Sequence, residues 1–424
     1  MNMKLHRNIF IIDEYMSSKQ NGIGTYMQQL ILCLKSVRPD IIALVSFNTE
    51  CKDFSIRRRN GIVCYDFPYF AEGAFVDLGG LAIPVLRQYV EDKKENVFFM
   101  NHSPCVGFLK TLRALFPKSK IVFTIHDQGW TAPLLGNADY LKALADSKYF
   151  VKTKESSLRR IVNKETIKFV RKYFKDEQRM YKAVDAVICL SPNTQNLVET
   201  VYAIPTSKLH VIPNGIDLVK VERNTINKAK ARKNLNLSDT EKIFLFVGRA
   251  VKAKGIIALL KAFEHVSYQH PECRLVIVGE CLQMNEFLRH ALHACTRITF
   301  TGLVFKDELA QWYIAADFGV LPSYTEQCSY TGIEMMAYGL PVITTDGNGL
   351  ADMFTDGVNA VVAPIGNVED VDSFVENTII AIERALRLSD EEKQDYIQKG
   401  KELVRIKYST TRMRELYYNL LSNI

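Results

Sequence analysis

Two carboxylates in the second half of the chain, Glu326 and Glu334, flank a run of seven residues. An apolar run at 317–321 predicts a short buried strand before them, and 332–338 predicts a short helix that a Gly and a Pro end. Strand-to-helix loops lie at the carboxyl ends of parallel strands, where ligands bind, and helix-start N–H groups favour an anion. A fixed carboxylate can also accept hydrogen bonds from paired hydroxyls. The pattern therefore indicates a phosphorylated sugar or nucleotide, with two solvated loop acids as the alternative.

Two cations share another loop of the same kind. Arg249 and Lys254 lie between a predicted strand at 242–247 and a predicted helix that runs to about residue 267. Arg offers a planar fork of donors and Lys a compact charge, and together they suit a diphosphate. Solvated loop charges are the alternative.

A glycine loop is predicted near the N-terminus, at 20–24, between a strand and a helix at about 25–35. Strand, glycine loop and helix in this order suggest dinucleotide binding, but the third glycine of that fingerprint is replaced by Met27 and the expected acid is missing. Nicotinamide binding is therefore rejected. Gly22 and Gly24 still permit close approach of the backbone to a phosphate or a sugar, and a simple tight turn is the alternative.

Two histidines, His102 and His126, each follow a predicted buried strand directly. If the strands are parallel neighbours, both side chains face the same edge of the sheet. A single histidine in this position is usually structural, whereas two at matching positions favour function for at least one. His126 is the better candidate, since Asp127 and Gly129 indicate a shaped loop.

A long basic segment is predicted at about 136–182. Its cations at helical spacing are Lys164, Lys168, Arg171, Lys172, Lys175 and Arg179. Ile167, Val170 and Phe174 form an opposing apolar stripe. A solvated helix packed on its domain is one interpretation, and a surface that meets anionic lipid or an acidic acceptor is the other.

The composition is that of an ordinary globular protein, with 424 residues, 47% hydrophobic and 24% charged. The length predicts two domains. A net charge of +7 permits phosphorylated substrates but does not predict nucleic-acid binding. Nine cysteines without metal-ligand spacing favour a reducing cytosol. No signal peptide or membrane span is predicted, so we expect a cytoplasmic protein that can contact the inner face of the membrane peripherally.

Strands and helices alternate along both halves, which predicts an α/β protein with two doubly wound sheets. The run P-N-G-I-D at 213–217 and the charged run after it interrupt the alternation. The predicted domains are therefore 1–217 and 218–407, followed by a final helical segment, 408–424.

In their order along the chain, these motifs resemble the GT-B glycosyltransferases of the family-4 type, which are retaining and use nucleotide sugars. The matching runs are N-G-I-G-T-Y, T-I-H-D, V-I-P-N-G-I-D, G-R-A-V-K-A-K-G-I, the long run A-A-D-F-G-V-L-P-S-Y-T-E-Q-C-S-Y-T-G-I-E-M-M-A-Y-G-L-P-V-I and D-G-V-N-A. The resemblance covers nearly the whole chain. It implies two Rossmann-like domains that face a central cleft, with the C-terminal helix crossing back to the N-terminal domain.

The resemblance also implies roles for individual residues. Arg249 and Lys254 would hold the donor diphosphate, and Glu334 the ribose hydroxyls. The donor sugar would be oriented by Glu326 with the backbone of Gln327, Cys328 and Ser329. The residues expected on the donor phosphate or acceptor side are Gly22 and Gly24, with His126 near the transferred sugar.

The chain departs from the family pattern at four places. Met335 replaces the usual Ala, Ala360 replaces a Gly, and Asp352 stands where Glu is common. The run 327–330, Q-C-S-Y, replaces the commoner Gly-Phe-Gly type of run. The last departure lies beside the expected sugar, so it bears on the identity of the donor more than on activity.

The expected reaction is retaining transfer from a nucleotide-diphosphate sugar, with UDP favoured, to a glycan, lipid-linked or peptide acceptor. Cations and helix-start amides can stabilise the departing phosphate without a metal, and no acidic cluster predicts one. We therefore expect no metal and no cofactor other than the nucleotide sugar as co-substrate. The alternatives are a catalytically silent GT-B subunit that binds glycans or activates a partner, and a GT-B-fold nucleotide-sugar epimerase.

Overall fold

The computed structural model describes residues 7–14, 22–35, 41–69, 75–101, 105–145 and 163–424. Tertiary contacts divide the chain into two compact units. The first comprises 1–133, 138–215 and 410–424, and the second comprises 134–137 and 216–409.

The first unit contains, within the described ranges, an eight-stranded sheet in the order β3-β4-β2-β1-β5-β6-β7-β8. All neighbouring strands are parallel except β3 and β4. The strands are Asn8–Glu14 (β1), Ile42–Thr49 (β2), Ser55–Arg59 (β3), Ile62–Pro68 (β4), Asn96–Met100 (β5), Lys120–Ile125 (β6), Ala186–Cys189 (β7) and Leu209–Val211 (β8). The helices are Gly22–Lys35 (α1), Phe75–Tyr89 (α2), Val106–Leu115 (α3), Ala138–Ala145 (α4), Lys164–Ala183 (α5) and Pro192–Thr200 (α6).

The second unit contains, in the part of the chain described, a six-stranded parallel sheet in the order β11-β10-β9-β12-β13-β14. The strands are Lys242–Val247 (β9), Cys273–Val278 (β10), Ile298–Gly302 (β11), Phe318–Leu321 (β12), Val342–Thr345 (β13) and Ala360–Ala363 (β14). The helices are Leu218–Glu222 (α7), Lys228–Asn234 (α8), Ile256–Gln269 (α9), Met284–Leu288 (α10), Lys306–Ala315 (α11), Tyr330–Tyr338 (α12), Val371–Arg387 (α13) and Asp390–Lys407 (α14). Its core fills the space between the sheet and α9 and α13, where apolar side chains such as Phe244, Leu259 and Ala381 are buried.

The last helix, Thr410–Asn423 (α15), belongs to the first unit. It packs on α1, and the hydroxyls of Tyr26 and Tyr417 share a hydrogen bond in that interface. Tyr417 is fully buried. Both sheets have the layered α/β architecture expected from the alternation of strands and helices.

Two details of the sequence prediction are wrong. The predicted loop at 20–24 is only partly a loop, because α1 begins at Gly22 and includes Gly24 in its first turn. Residues 20 and 21 lie outside the described residues. The second error is an omitted strand, β3, whose sequence S-I-R-R-R lacks the apolar run of a buried strand because β3 is an edge strand with mostly exposed side chains.

Candidate functional site

The order of the second sheet reverses between β9 and β12. Strands β10 and β11 lie on one side of this pair and β13 and β14 on the other. Arg249 and Lys254 follow β9, while Glu326 follows β12. The crevice beyond the carboxyl ends of strands at such a reversal is where open α/β sheets bind ligands. The predicted diphosphate and sugar residues therefore lie on the two loops that border this position.

The turn that carries Lys254 is fixed against the loop after β12. A short 3₁₀ helix at Lys252–Lys254 ends at Gly255, whose φ is +69°. A Cβ at Gly255 would collide with the carbonyl group of Pro322, so this position requires glycine. The N–H of Tyr324 donates to the carbonyl of Ala253 over 3.0 Å. These contacts bring the Lys254 turn directly beside the Glu326 loop.

Lys254 and Glu326 form an ion pair. Lys254 Nζ lies 2.6 Å from Glu326 Oε1, and the Ser323 hydroxyl donates to the same oxygen over 2.9 Å. Only 14% of the Glu326 side chain and 30% of the Lys254 side chain are exposed. The pair is therefore partly shielded from water, where its attraction is stronger than at an open surface.

Arg249 is exposed, and it makes no ion pair with any described residue. It follows Gly248, which has a φ of +143°. The Gly248 carbonyl lies so close to Gly279 that a Cβ there would collide with it. The two strand ends thus approach closely at backbone level, and the Arg249 side chain extends from a fixed base with its guanidinium accessible to an anion.

The helix after Glu326 has a well-formed N-terminus. Ser329 is the N-cap of α12, and its hydroxyl accepts from the N–H of Gly332 over 3.2 Å. Gln327 is partly buried, while Cys328 and Ser329 are buried. The carbonyls of Glu326 and Gln327 press against Gly349, where a Cβ would collide with both. The backbone at 327–329, which was expected to orient a sugar, is therefore fixed by the N-cap of α12 and by its packing against Gly349.

Glu334 lies one turn into α12 rather than in its first turn, and it is partly buried. The Tyr313 hydroxyl donates to Glu334 Oε2 over 2.7 Å. Burial raises the pKa of the Glu334 carboxyl, while the Tyr313 hydrogen bond and the charge of Lys306 lower it. Oε2 is engaged by Tyr313, which fixes the orientation of the carboxylate for a further hydrogen-bond donor.

Met335, one of the departures from the family pattern, packs against β12. A Cβ at Gly319 would collide with its sulfur, so the long side chain fills the space that this glycine leaves open. Met335 is fully buried. This departure therefore concerns packing beneath the loop and does not remove a polar group.

In the first unit, His126 and the start of α1 come together. His126 follows β6 and packs edge-to-face on Tyr26, with ring centroids 4.4 Å apart. Tyr26 lies in the second turn of α1, which begins at Gly22. A Cβ at Gly22 would meet no atom of the described residues within 4 Å. The structure thus places His126 beside the helix that carries Gly22 and Gly24, whereas His102 lies outside the described residues.

The loop after His126 is well ordered by polar contacts. Asp127 Oδ1 accepts from the N–H of Gln128 over 2.8 Å and from the Thr131 hydroxyl over 2.6 Å. The N–H of Gly129 donates to Glu177 Oε1 over 2.7 Å. Sequence reasoning missed Glu177, although its position continues the stripe of 167, 170 and 174 and thereby predicts burial.

None of the described residues forms a group of three or more His, Cys, Asp or Glu that could hold a metal ion. None of the described helices is both long and apolar enough to cross a membrane.

Two family models match the chain one after the other. The model for Glycosyltransferase Family 4 matches residues 20–220, and the model for Glycosyl transferases group 1 matches residues 227–402. Together they include parts of both units and all the site residues predicted from the sequence.

The curated relatives match this chain over only part of their length. The chain is 34% identical over 178 residues to alpha-monoglucosyldiacylglycerol synthase of Streptococcus pneumoniae, which covers 41% of this chain and 40% of the relative. It is 26% identical over 232 residues to the lipopolysaccharide 1,2-N-acetylglucosaminetransferase of Salmonella typhimurium, covering 52% of this chain and 58% of the relative. The matches thus span less than two thirds of these relatives.

Solved structures match the whole chain in fold. Sucrose-phosphate synthase from Thermosynechococcus elongatus has a TM-score of 0.72 at 20% identity, covering 99% of this chain and 100% of that one. The Anabaena HepE protein in complex with UDP and glucose has a TM-score of 0.69 at 16% identity, covering 99% of this chain and 100% of that one.

Proposed function

Because this chain belongs to the GT-B glycosyltransferases of group 1, we propose that it moves a sugar, with retention of configuration, from a nucleotide-diphosphate sugar to an acceptor. The observation that carries this proposal is the pair of loops at the reversal of the second sheet. One loop supplies Arg249 and Lys254, and the other supplies Glu326 within 2.6 Å of the lysine. Cations suit a diphosphate, and the carboxylate beside Lys254 suits the hydroxyls of the attached sugar.

Catalysis of this reaction requires that the negative charge of the leaving diphosphate be stabilised. When the bond between the anomeric carbon and the phosphate oxygen breaks, negative charge grows on the diphosphate. Arg249 and Lys254 stabilise this charge more in the transition state than in the ground state, which is how preorganised charges accelerate a reaction. No step requires a metal ion, so metal-independent turnover is part of the proposal.

The remaining residues bind and orient the donor. Glu334 accepts hydrogen bonds from the ribose hydroxyls, with Tyr313 fixing its carboxylate. The backbone from 327 to 329 and Glu326 orient the sugar, and His126 contributes contacts to it. The first turn of α1, with Gly22 and Gly24, offers N–H groups to a phosphate or to the acceptor.

UDP is the nucleotide that we favour. The Anabaena HepE structures are described as complexes with UDP and with UDP-glucose, and these share the fold of this chain. The acceptor belongs to the glycans, lipid-linked sugars or peptides. The Streptococcus pneumoniae relative is named as a synthase of a glucosylated diacylglycerol, which is a lipid. The exposed cations of α5 are compatible with an acceptor at an anionic lipid surface.

A screen of the purified protein against a panel of nucleotide sugars tests this function. We expect binding and slow hydrolysis of one donor class, and loss of turnover at saturating donor in Arg249→Ala and in Lys254→Ala. Lys252→Ala on the same turn, an exposed cation with no assigned role, is the matched control. Binding without any turnover would support the silent subunit instead, and isomerised free nucleotide sugar would support the epimerase.

A chelator arm tests the metal-free part. Turnover should persist in excess chelator. If chelation abolished activity and magnesium or manganese restored it, the metal-free account would be wrong while the transfer reaction stood.

A further inference from the structure

A buried carboxyl group lies beneath the loop that follows His126. Glu177 is on α5, and its side chain is completely removed from solvent. Its Oε1 accepts from the N–H of Gly129 over 2.7 Å, and its Oε2 accepts from the Tyr202 hydroxyl over 2.5 Å. Both of these partners are uncharged, and none of the described residues pairs Glu177 with a cation. This is unusual, since buried acids are normally paired with a cation.

The groups that face Glu177 come from three elements. Asp127 lies on the loop, Tyr202 follows α6, and Asp176 and Tyr181 lie on α5 itself. Burial raises the pKa of Glu177 to about 7, while the hydrogen bonds from Tyr202 and Gly129 lower it. The charges of Asp127 and Asp176 raise it further. The carboxyl group therefore changes its charge near neutral pH.

The loop cannot move away from α5 without losing close packing. A Cβ at Gly129 would collide with the ring of Tyr173, so the loop backbone lies directly on that helix. Trp130, the next residue, is 2% exposed. The Gly129–Glu177 hydrogen bond thus fixes the loop three residues after His126.

We propose that Glu177 is a positioning residue for sugar transfer, which in its charged form fixes the loop after His126 and on protonation loosens it. This inference rests on the proposed function, in which His126 contacts the transferred sugar.

The hydrogen-bond pattern gives the direction. Both carboxylate oxygens act as acceptors, which is the pattern of the ionised group. A proton on either oxygen must displace one of the two donors or force the Tyr202 hydroxyl to turn its own proton away. The charge-assisted bond to Gly129 also weakens when the charge is lost. Low pH therefore weakens the two hydrogen bonds that fix the loop locally, while it favours the folded state as a whole because a buried charge is removed.

The first experiment is the pH dependence of turnover. In the wild type, kcat should fall about tenfold from pH 8 to pH 6, as expected when one group with a pKa near 7 must be ionised. Glu177→Gln, which imitates the protonated form, should give a flat profile near the low value. Tyr202→Phe removes a hydrogen bond that lowers the pKa, so it should shift the fall to higher pH. Donor affinity should stay within a factor of two in both variants.

The control is Asp176→Asn, the neighbouring acid on the same helix, which should retain a fall of the same size with its midpoint at slightly lower pH, because the charge of Asp176 raises the pKa of Glu177. A fall near pH 7 that persists in Glu177→Gln would assign it to another group, such as His126, and would overturn the inference. Wild-type turnover of Glu177→Gln at pH 6 and pH 8 would overturn it as well.

A second measurement does not need activity. Trp130 and Trp312 are the chain's two tryptophans, so Trp312→Phe makes Trp130 the only one. Its fluorescence should titrate near pH 7, and adding Glu177→Gln should abolish the titration. A fluorescence titration in a protein without transferase activity would keep the loop switch and reject the proposed function. Absence of the titration would reject the switch whatever the activity.

Discussion

Lys254 Nζ lies 2.6 Å from Glu326 Oε1, so the lysine expected to hold the donor phosphate is already paired with the carboxylate expected to orient the donor sugar. Both groups are partly buried. A phosphate that binds beside Lys254 must share its ammonium with Glu326. The free nucleotide diphosphate and the intact donor therefore respond differently to loss of this carboxylate, because only the donor carries a sugar.

Glu326→Gln should separate these two effects. Without the negative charge, Lys254 is more available to phosphate, so the nucleotide diphosphate should bind as tightly as in the wild type or more tightly. The sugar loses a strong acceptor, so kcat should fall on the order of 10²-fold. Calorimetry and steady-state kinetics measure the two quantities. The control is Ser323→Ala, which removes only the hydroxyl that donates to Glu326. Weaker binding of the nucleotide diphosphate in Glu326→Gln would contradict this expectation and would show that the ion pair with Glu326 holds Lys254 in position for the phosphate.

Glu334→Ala should weaken binding of the nucleotide diphosphate. Loss of charge-assisted hydrogen bonds to the ribose hydroxyls corresponds to about 1.5–3 kcal/mol, or roughly 10- to 150-fold in affinity. Tyr313→Phe retains the carboxylate and removes only its partner within the protein, so its affinity should change much less. Calorimetric titration of both variants checks this. Equal affinities in Glu334→Ala and the wild type would remove Glu334 from the ribose site.

The sequence was sufficient to predict the strands of the second sheet, but not their order within it. Strand β9 has the predicted bounds, because a strand buried on both faces forms a continuous apolar run. The Arg249, Lys254 and Glu326 loops were placed at the ends of the right strands for the same reason. The Lys254–Glu326 ion pair was not predicted. These residues are 72 positions apart, and they come into contact only because β9 and β12 pair side by side in the sheet.

The failures in the first unit have local causes. Two glycines in four residues indicate a loop, yet Gly22 and Gly24 begin α1, where the helix tolerates them at its first turn. Glu177 resembles a solvated acid among many lysines of α5. Its burial depends on Tyr202 and on Gly129, which lie 25 and 48 positions away along the chain.

Glu177→Gln should stabilise the protein at high pH. The pKa of Glu177 rises from 4.5 to about 7 on folding, so between these values the folded state holds the proton more firmly than the unfolded state. The free energy of unfolding therefore decreases as pH rises through this window, by roughly 3 kcal/mol in total. Glu177→Gln cannot ionise, so its free energy of unfolding does not decrease in this window. Urea unfolding should show a gain for Glu177→Gln at pH 8 and almost none at pH 5, and a gain of equal size at both pH values would contradict the titration.

The exposed cations of α5 should bind anionic lipid vesicles. Ile167 and Val170 are buried, while Lys168, Lys172 and Lys175 face solvent beside Phe169, which is 43% exposed. Binding should weaken as salt is added, because screening reduces each attraction. Charge reversal of the group Lys168, Arg171, Lys172 and Lys175 to Glu should release the protein. Absence of vesicle sedimentation at low salt would identify this face as merely solvated.

The product should keep the anomeric configuration of the donor, and no covalent sugar–enzyme adduct should accumulate. A nucleophilic carboxylate must reach the anomeric carbon from the face opposite the departing phosphate. Glu326 is the acid that we assign to the donor sugar, yet it is hydrogen-bonded to Lys254, which we assign to the phosphate. It therefore belongs to the leaving-group side, and the departing phosphate oxygen itself can take the acceptor's proton during attack from the same face.

Two measurements check this mechanism. Proton NMR of the first-formed product reads its anomeric configuration, and mass spectrometry of the quenched enzyme detects an adduct. His126→Ala should lower turnover while donor binding survives, because the proposed diphosphate and ribose contacts come from Arg249, Lys254 and Glu334 in the second unit. An inverted product would exclude retention altogether. A trapped adduct on Glu326 would retain the stereochemistry but would require Glu326 to leave Lys254 and act as the nucleophile.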